Sequence, residues 1–217
     1  MRGVFVTGTD TGVGKTLVSS ALVRGYGRRG ERVAGLKPIV SGVMPGGVWE
    51  DVEALRRASV PERAVSECTL YTFAPAIAPH FAAYEAGCAI DLHAAARFVR
   101  DAAAAVDRVV VEGAGGFLVP LTPTQTFADF ASLLKLPVVL VVGLRLGAIN
   151  HALLTYEAIV ARGLTVAGWI GSHLAPTLAA GTVEGLHDYL AAPCLGLIPY
   201  QEEADADFAL GHIELPS

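Results

Sequence analysis

Two stretches of this sequence are apolar without interruption, and they limit the folds that the chain can adopt. Residues 109–111 are three valines, and residues 138–142 read Val-Val-Leu-Val-Val. A strand with one face in water alternates apolar and polar residues, whereas a strand covered on both faces is apolar throughout. The two stretches therefore predict central strands of a parallel sheet that has helices on both faces.

Strand and helix patterns alternate along the whole chain. We predict strands at residues 3–7, 32–37, 108–112, 137–143, 165–171 and 195–199, and helices at about residues 16–29, 51–58, 91–105, 127–135, 150–162 and 181–191. This order predicts an α/β fold, a doubly wound, mostly parallel sheet in one domain over residues 1–217. In such folds, ligands bind at the carboxyl ends of the strands. Residues 38–47 and 69–87, which contain several prolines, are predicted as long loops of the kind that often serve function.

The composition excludes several classes of protein. Of the 217 residues, 53% are hydrophobic and 17% are charged, which rules out a disordered chain. The net charge of −5 provides no general attraction for nucleic acid. The longest apolar stretch, residues 136–144, is about half as long as the ~20 residues of a membrane-spanning helix. Neither nucleic acid nor a membrane is therefore expected as a partner.

The cysteines indicate a reducing compartment. Cys68, Cys88 and Cys194 are far apart and form no CxxC pair, so we predict neither a zinc site nor a disulfide framework. The apolar run at residues 4–6 is too short for the core of a signal peptide. The cytoplasm is the expected location.

A glycine-rich segment follows the first predicted strand and is nearly a phosphate-binding P-loop. Residues 8–16 read Gly-Thr-Asp-Thr-Gly-Val-Gly-Lys-Thr and lead into a predicted helix. Glycines let backbone N–H groups converge on phosphate oxygens, and the helix presents its positive end to the same anion. Lys15 would reach the β- and γ-phosphates, and the Thr16 hydroxyl would bind Mg²⁺. The usual pattern has a glycine where this chain has Thr9, so a glycine-rich turn with an exposed lysine is the alternative.

Two carboxylates are placed to bind that metal ion. Glu112 ends the third predicted strand and is followed by glycines, so it is expected at the same edge of the sheet as the P-loop. Asp51 follows the first proline- and glycine-containing loop and starts a predicted helix. Each has a plainer alternative: Asp51 as a helix cap or first-turn acid, and Glu112 as a solvated strand end.

Two further segments carry candidate ligand contacts. Lys37 ends the second predicted strand, where burying a lysine is unfavourable unless it faces a cleft or a partner such as a phosphate. Ser41, four residues on, can donate a hydrogen bond to a ligand. The alternative is that Lys37 extends to the edge of the sheet with its ammonium in water. Residues 144–151 lead into a helix whose free N–H groups would suit a carboxylate, unless Asn150 caps them.

Four motifs in order resemble one family. The motifs are residues 8–16, residues 35–42 (Gly-Leu-Lys-Pro-Ile-Val-Ser-Gly), residues 110–116 (Val-Val-Glu-Gly-Ala-Gly-Gly) and residues 146–151 (Leu-Gly-Ala-Ile-Asn-His). Together they resemble the dethiobiotin synthetase family, and the likeness runs from Gly8 to about Gln201. The resemblance implies a P-loop NTPase-like fold. It also implies that CO₂, ATP and Mg²⁺ are used to close a ureido ring on 7,8-diaminononanoate, through a carbamate and a carbamic-phosphoric mixed anhydride.

The resemblance also implies residue roles. Lys15 and Lys37 would neutralise charge on the transferring phosphoryl group, with Thr11 close to it. The other implied contacts are Thr16, Asp51 and Glu112 for Mg²⁺; Gly12, Val13, Gly14, Gly113, Ala114 and Gly115 for the nucleotide; Ser41 for the diamine or its carbamate; and the backbone of Gly147, Ala148, Ile149 and Asn150, from the other subunit of a homodimer, for the substrate carboxylate.

Base recognition is where this chain departs from the family. Some members have an acid at Gly12, and the turn after the strand at 165–171 often reads Asn-x-Asp, whereas here residues 171–173 are Gly-Ser-His. An asparagine amide can read the edge of adenine, which glycine and serine do less well. We therefore predict a weakened preference for ATP over other nucleoside triphosphates. The candidate base pocket consists of Gly171, Ser172, Pro199, Tyr200 and Gln201.

Two other functions are compatible with a P-loop in an α/β fold. A switch ATPase of the partition or septum-positioning type usually has a second lysine where this chain has Asp10, and it often adds a membrane helix or a basic DNA-binding face. An amidotransferase-related synthetase generally brings a glutaminase part with a nucleophilic cysteine, and none of the three cysteines lies in such a context. The first of these is the main alternative.

Overall fold

The computed structural model describes residues 1–44 and 46–216. The strands are β1 (Gly3–Gly8), β2 (Val33–Leu36), β3 (Ile39–Ser41), β4 (Tyr71–Phe73), β5 (Arg108–Gly116), β6 (Val138–Leu144), β7 (Val166–His173) and β8 (Cys194–Ile198). The helices are α1 (Lys15–Arg28), α2 (Glu50–Ala58), α3 (Pro79–Glu85), α4 (Leu92–Ala104), α5 (Phe127–Leu134), α6 (Ala148–Ala161), α7 (Thr182–Tyr189) and α8 (Ala206–Leu210), and a 3₁₀ helix spans Val65–Glu67.

A six-stranded parallel sheet in the order β2-β5-β1-β6-β7-β8 forms the centre of the molecule. β1 pairs with β5 on one side and with β6 on the other. The strand order reverses at this point, which makes the carboxyl end of β1 the place where a parallel sheet opens a crevice for ligands. The predicted doubly wound α/β fold is confirmed.

The core explains the uninterrupted apolar runs. Val109 and Val111 of β5 pack in the cluster that includes residues of α4 and α5, whereas Val110 packs in the cluster against α1. All three are fully buried. Since burying a valine stabilises a fold by about 1.5–3 kcal/mol, a strand buried on both faces has a strong preference for valine at every position.

β5 continues past the predicted end of its strand. Its register with β1 moves from Val6 opposite Glu112 to Gly8 opposite Gly116, so the intervening residues 113–115 bulge out of the ladder. Gly115 has a φ of +66°, which a glycine adopts without strain. The bulge places the glycine-rich segment beside the P-loop.

The segments predicted as loops at 38–47 and 69–87 are only partly irregular. Each contributes one strand of a small parallel sheet, in which β3 pairs with β4, and the second segment also contains α3. The prediction of plain loops was therefore wrong in these parts. Strands of three residues are too short to show a periodicity, which is why the pattern did not reveal them.

Among the described residues, every helix is too short or too polar to cross a membrane.

Candidate active site

The P-loop turns directly into α1 and leaves the start of that helix open. Gly12 and Gly14 have φ values of +72° and +91°, and Gly14 is the N-cap residue. The helix has no side-chain cap and no acid in its first turn. The N–H groups at its start and the positive end of its dipole therefore face the crevice, which is an arrangement that binds phosphate.

Lys15 is buried in this loop. Its Nζ donates a hydrogen bond to the backbone carbonyl of Asp10 over 2.7 Å, and the residue is 7% exposed. Burial lowers the pKa of Lys15 to about 8, although the nearby Glu112 carboxylate acts in the opposite direction. An anion in the crevice would replace the carbonyl as a stronger partner for this ammonium.

Thr16 connects the P-loop with both predicted metal-binding carboxylates. Its Oγ1 lies 2.8 Å from Asp51 Oδ1 and 2.9 Å from Glu112 Oε1. Because α2 begins at Glu50, Asp51 lies in its first turn, as one alternative proposed, but its side chain points to the P-loop. Glu112 is fully buried, so the alternative of a solvated strand end is wrong.

Lys37 lies between the same two carboxylates. Its Nζ forms ion pairs with Asp51 Oδ2 and with Glu112 Oε1, the latter over 2.7 Å. Burial alone would lower the pKa of Lys37, but the charges of Glu112 and Asp51 outweigh it and raise the pKa above its ordinary value. For Asp51 the two effects are reversed: burial alone would raise its pKa, but the charge of Lys37 and its hydrogen bond hold the pKa below its usual range. The residue is 4% exposed, so Lys37 does not extend into water.

The charge and oxygen content of this cluster fit a magnesium ion. Glu112 Oε2 is buried without a hydrogen-bond partner among the described residues. Proteins usually bind Mg²⁺ through one or two carboxylates, and here a hydroxyl is also available. Substrate phosphates and water molecules complete the coordination. Among the described residues there is no cluster of three or more histidine, cysteine, aspartate or glutamate residues, so a metal ion here would need those additional ligands.

A cavity of about 690 Å³ opens over the P-loop, and most of the residues predicted to bind the nucleotide or the metal ion line it. Ser41 lies on its wall, with its hydroxyl donating to the carbonyl of Ile77 over 2.8 Å. Ala76, Ile77, Ala78 and Pro79, before and at the start of α3, also line it, and sequence reasoning missed them. The proline-rich composition of that loop was the only signal. The residues that line the cavity are Thr11, Gly12, Gly14, Lys15, Thr16, Leu17, Lys37, Ser41, Asp51, Ala76, Ile77, Ala78, Pro79, Glu112, Ala114, Gly115 and Val119.

The segment from Gly147 to Asn150 lines a second cavity, of about 510 Å³. Gly147, with a φ of +89°, is the N-cap of α6, so the helix starts earlier than predicted and Asn150 is not its cap. The start of α7, with Gly181 as N-cap, borders the same cavity. Neither helix has a side-chain cap, so two helix N-termini face one space. Sequence reasoning missed residues 179–182.

The candidate base residues are dispersed. A side chain at Gly171 would contact Leu197 and Leu144 in the interior, so this position does not face the crevice. Ser172 is buried, and its Oγ lies 2.9 Å from where a side chain on Gly14 would be, beside the P-loop. Pro199, Tyr200 and Gln201 follow β8 at the surface.

A parallel sheet with a phosphate loop at its switch point, backed by two lysines and two carboxylates, defines a P-loop nucleotide-binding enzyme. A family model described as an AAA domain matches residues 2–207. The ATP-dependent dethiobiotin synthetase BioD of Ralstonia nicotianae is 45% identical over 216 residues, which are 97% of this chain and 94% of that protein. The chain belongs to the dethiobiotin synthetase family.

Other comparisons agree with the family and the fold. The ATP-dependent dethiobiotin synthetase BioD of Nitrosospira multiformis is 44% identical over 207 residues, covering 94% of this chain and 91% of that protein. Among solved structures, the MinC:MinD cell division protein complex of Aquifex aeolicus gives a TM-score of 0.59 over 97% of this chain and 86% of that chain. The identity to that structure is 15%, so it shows the shared P-loop fold alone.

Proposed function

We propose that this chain is an ATP-dependent dethiobiotin synthetase, a ligase of biotin biosynthesis that joins CO₂ to 7,8-diaminononanoate. One amine of the diamine attacks CO₂ and loses a proton, which gives a carbamate. A carbamate oxygen then takes the γ-phosphoryl group, and ADP leaves. The second amine attacks the carbonyl carbon of this mixed anhydride and loses a proton, the ureido ring closes, and phosphate leaves.

The observation that carries the proposal is the cluster of Lys37, Asp51, Glu112 and Thr16 at the P-loop, facing a cavity large enough for a nucleotide end and a small substrate. Phosphoryl transfer needs positioning and charge stabilisation more than covalent help from the protein. The carbamate oxygen is supplied by the substrates, so no protein nucleophile is required. The named function of the 44–45% identical relatives supports the same conclusion.

The P-loop would hold the triphosphate. In this proposal, the N–H groups of Gly12, Val13 and Gly14 and the start of α1 bind phosphate oxygens, and Lys15 exchanges the Asp10 carbonyl for a phosphate. Lys37 would then stabilise the charge that develops on the transferring group. Thr11 would lie beside it, and residues 113–115 of the β5 bulge would close over the nucleotide.

We propose that Thr16, Asp51 and Glu112 hold Mg²⁺ with the nucleotide. When bound, the ion neutralises charge on the β- and γ-phosphate oxygens. Replacing Asp51 by Asn or Glu112 by Gln is expected to shift the Mg²⁺ dependence of turnover to concentrations about tenfold higher or more, because losing even a residue that only supports a metal ligand typically costs about 10–100-fold in metal affinity. Isothermal titration of Mg²⁺ into the ADP-bound protein gives a second readout. Unchanged titrations in both variants would remove these residues from the metal site.

We also propose that the chain acts as a homodimer. Gly147, Ala148, Ile149 and Asn150 line a cavity separate from that of the P-loop, and two helix N-termini there suit the substrate carboxylate. Leu146, on the wall of this cavity, is 89% exposed, and Leu154, further along α6, is 58% exposed, which suits a surface that a second copy covers. The partner's second cavity would then complete the site at the P-loop, with Ser41 contacting the diamine or carbamate.

The remaining parts of the proposal concern context. We propose that residues 1–217 act as one domain, that the partners are small molecules and a second copy of the chain, and that the enzyme works in the cytoplasm. Unpaired cysteines support the last point: Cys68 is buried, and burial raises its pKa to about 11, so it is kept as an unreactive thiol.

The direct test is product formation. Purified protein is incubated with 7,8-diaminononanoate, bicarbonate, ATP and Mg²⁺, and dethiobiotin and phosphate are measured together. One phosphate released per dethiobiotin is expected, with neither formed when the diamine is left out. Phosphate release that is independent of diamine and bicarbonate would favour the switch-ATPase alternative. Lys15→Ala is the inactive control.

A further inference from the structure

The P-loop has one more charged contact, which the proposed reaction does not use. Arg145 Nη2 lies 2.5 Å from Asp10 Oδ2. Arg145 belongs to the turn between β6 and α6, 135 residues along the chain from Asp10. The ion pair therefore fixes the P-loop to the neighbouring strand–helix turn.

Asp10 in turn contacts two groups of the P-loop. Its Oδ1 accepts a hydrogen bond from the Thr11 N–H over 2.7 Å, and its backbone carbonyl accepts one from Lys15 Nζ over 2.7 Å. A change in the orientation of Asp10 would move both the amide and the ammonium. Arg145 thus acts, through Asp10, on the ammonium that is proposed to bind a phosphate and on the backbone beside it.

The charge of Asp10 makes this contact more than a structural link. The hydrogen bond from the Thr11 N–H, together with Arg145, holds the pKa of Asp10 below its usual range, so the carboxylate is ionised at neutral pH. An ionised carboxylate in a phosphate-binding loop repels a triphosphate. The guanidinium of Arg145 offsets this charge where it arises.

We propose that Arg145 is a positioning residue that orients Asp10 and neutralises it, so that the P-loop can accept the triphosphate of ATP. This inference depends only on the ATP-binding part of the proposed function. On this inference, the negative charge of Asp10 does not prevent triphosphate binding, because Arg145 forms an ion pair with it.

The test compares ATP affinity, by calorimetry without diamine or bicarbonate, in four variants. Arg145→Gln is expected to weaken ATP binding about threefold at low salt, the size expected for an exposed pair, and the loss should shrink at high salt. Arg145→Lys should retain most of the affinity, because it keeps the charge. Asp10→Asn should bind at least as well as the wild type, since asparagine still accepts the Thr11 N–H. The double variant Arg145→Gln with Asp10→Asn should recover the affinity lost in the single arginine variant.

Recovery of ATP affinity in the double variant distinguishes two roles of Arg145: neutralising the charge of Asp10, or only holding the P-loop in place mechanically. If the pair were only a brace, each single variant would lose affinity and the double variant would be no better. That result, or wild-type affinity in Arg145→Gln, would overturn the inference. Arg32→Gln is the matched control, because it breaks a comparably exposed pair with Asp107 at the amino ends of the strands, and its ATP affinity should not change. Failure of the wild type to bind ATP would count against the proposed function instead.

Discussion

At the scale of single residues, the balance of charge between Lys37 and its two carboxylates decides what the site can do. The three residues are far apart in the chain, with Lys37 just after β2, Asp51 in α2 and Glu112 in β5. They meet in a space where Lys37 is 4% exposed and Glu112 is fully buried. Without a bound ligand, the Lys37 ammonium is paired with both carboxylates. A metal ion that took over the carboxylates would free Lys37 to face the phosphoryl group.

Replacing Lys37 by methionine gives an unbranched side chain that is one atom shorter and removes its charge. We expect kcat to fall by about 10²–10³-fold, the usual cost of losing one transition-state charge contact, with a much smaller change in ATP affinity. Steady-state kinetics and ATP titration measure the two effects, and a thermal melt shows that the variant is folded. Lys135→Met, at an exposed lysine, is the control. Near-normal kcat in Lys37→Met would refute the role assigned to this residue.

Lys15 makes ATP binding depend on pH. Burial lowers the pKa of Lys15 to about 8 in the nucleotide-free protein, and a triphosphate favours the charged ammonium. ATP affinity should therefore fall as the pH rises from about 7 to about 9.5, and binding in that window should take up a proton. Calorimetry in buffers of different ionisation enthalpy measures the uptake.

Without nucleotide, the effect of Lys15 on folding stability has the opposite pH dependence to its effect on ATP affinity. Because the pKa of Lys15 is lower in the folded protein than the ordinary 10.5, the unfolded chain binds more protons between the two values. This group therefore makes the nucleotide-free protein more stable as the pH rises from about 8 to about 10.5.

In Lys15→Arg, which stays charged throughout, the proton uptake on binding ATP should disappear. Equal uptake in that variant would assign the proton to another group.

At the scale of elements, the carboxyl end of β7 is the segment that we predict to lie nearest the base. Gly171 faces the interior and Ser172 faces the P-loop, so neither presents a side-chain amide to a base. We expect kcat/KM for ATP, CTP and GTP to differ by less than about tenfold, since strong discrimination requires buried groups that hydrogen-bond to the base. Parallel assays at saturating diamine and bicarbonate provide the comparison. A preference for ATP of a thousandfold or more would show that other groups read the base.

The elements differ in how well the sequence predicts them, and the reason is physical. β5 and β6 are buried on both faces, so every position carries the signal, and the P-loop needs glycines at fixed places. β3, β4 and α3 are short and are stabilised by contacts with each other, and β3 also contacts β5. Such contacts leave no periodic pattern in the sequence.

The site shows the same division. The sequence predicted which lysines and carboxylates face the crevice, because each one stands at the end of a strand or beside a glycine-rich loop. It could not predict that Lys37 bridges Asp51 and Glu112, which are 14 and 75 residues away in the chain. The start of α7 was predicted within one residue, but its place at the second cavity was missed, because that depends on how α6 and α7 pack together.

At the scale of the whole molecule, the two cavities raise the question of which chain completes which site. If the second cavity of one chain serves the P-loop of its partner, a defect in each cavity can be placed on different chains. Lys37→Met disables the first cavity. Gly147→Asp places a carboxylate at the N-cap of α6 and repels the substrate carboxylate. There is open space for the side chain, but the φ of +89° strains any residue other than glycine, aspartate less than most, so a thermal melt must show that the variant is folded.

Mixing these two inactive variants should restore activity. In a heterodimer with shared sites, one site carries both defects and the other carries none, so an equal mixture of exchanging subunits should reach about a quarter of wild-type activity. If each chain held a whole site, every site in the mixture would carry a defect and no activity would return. A mixture of Lys37→Met with Lys15→Met is the control, since both changes lie in the first cavity and no heterodimer has an intact site. Recovery in the first mixture without recovery in the second would establish that the diamine is held between two copies of the chain.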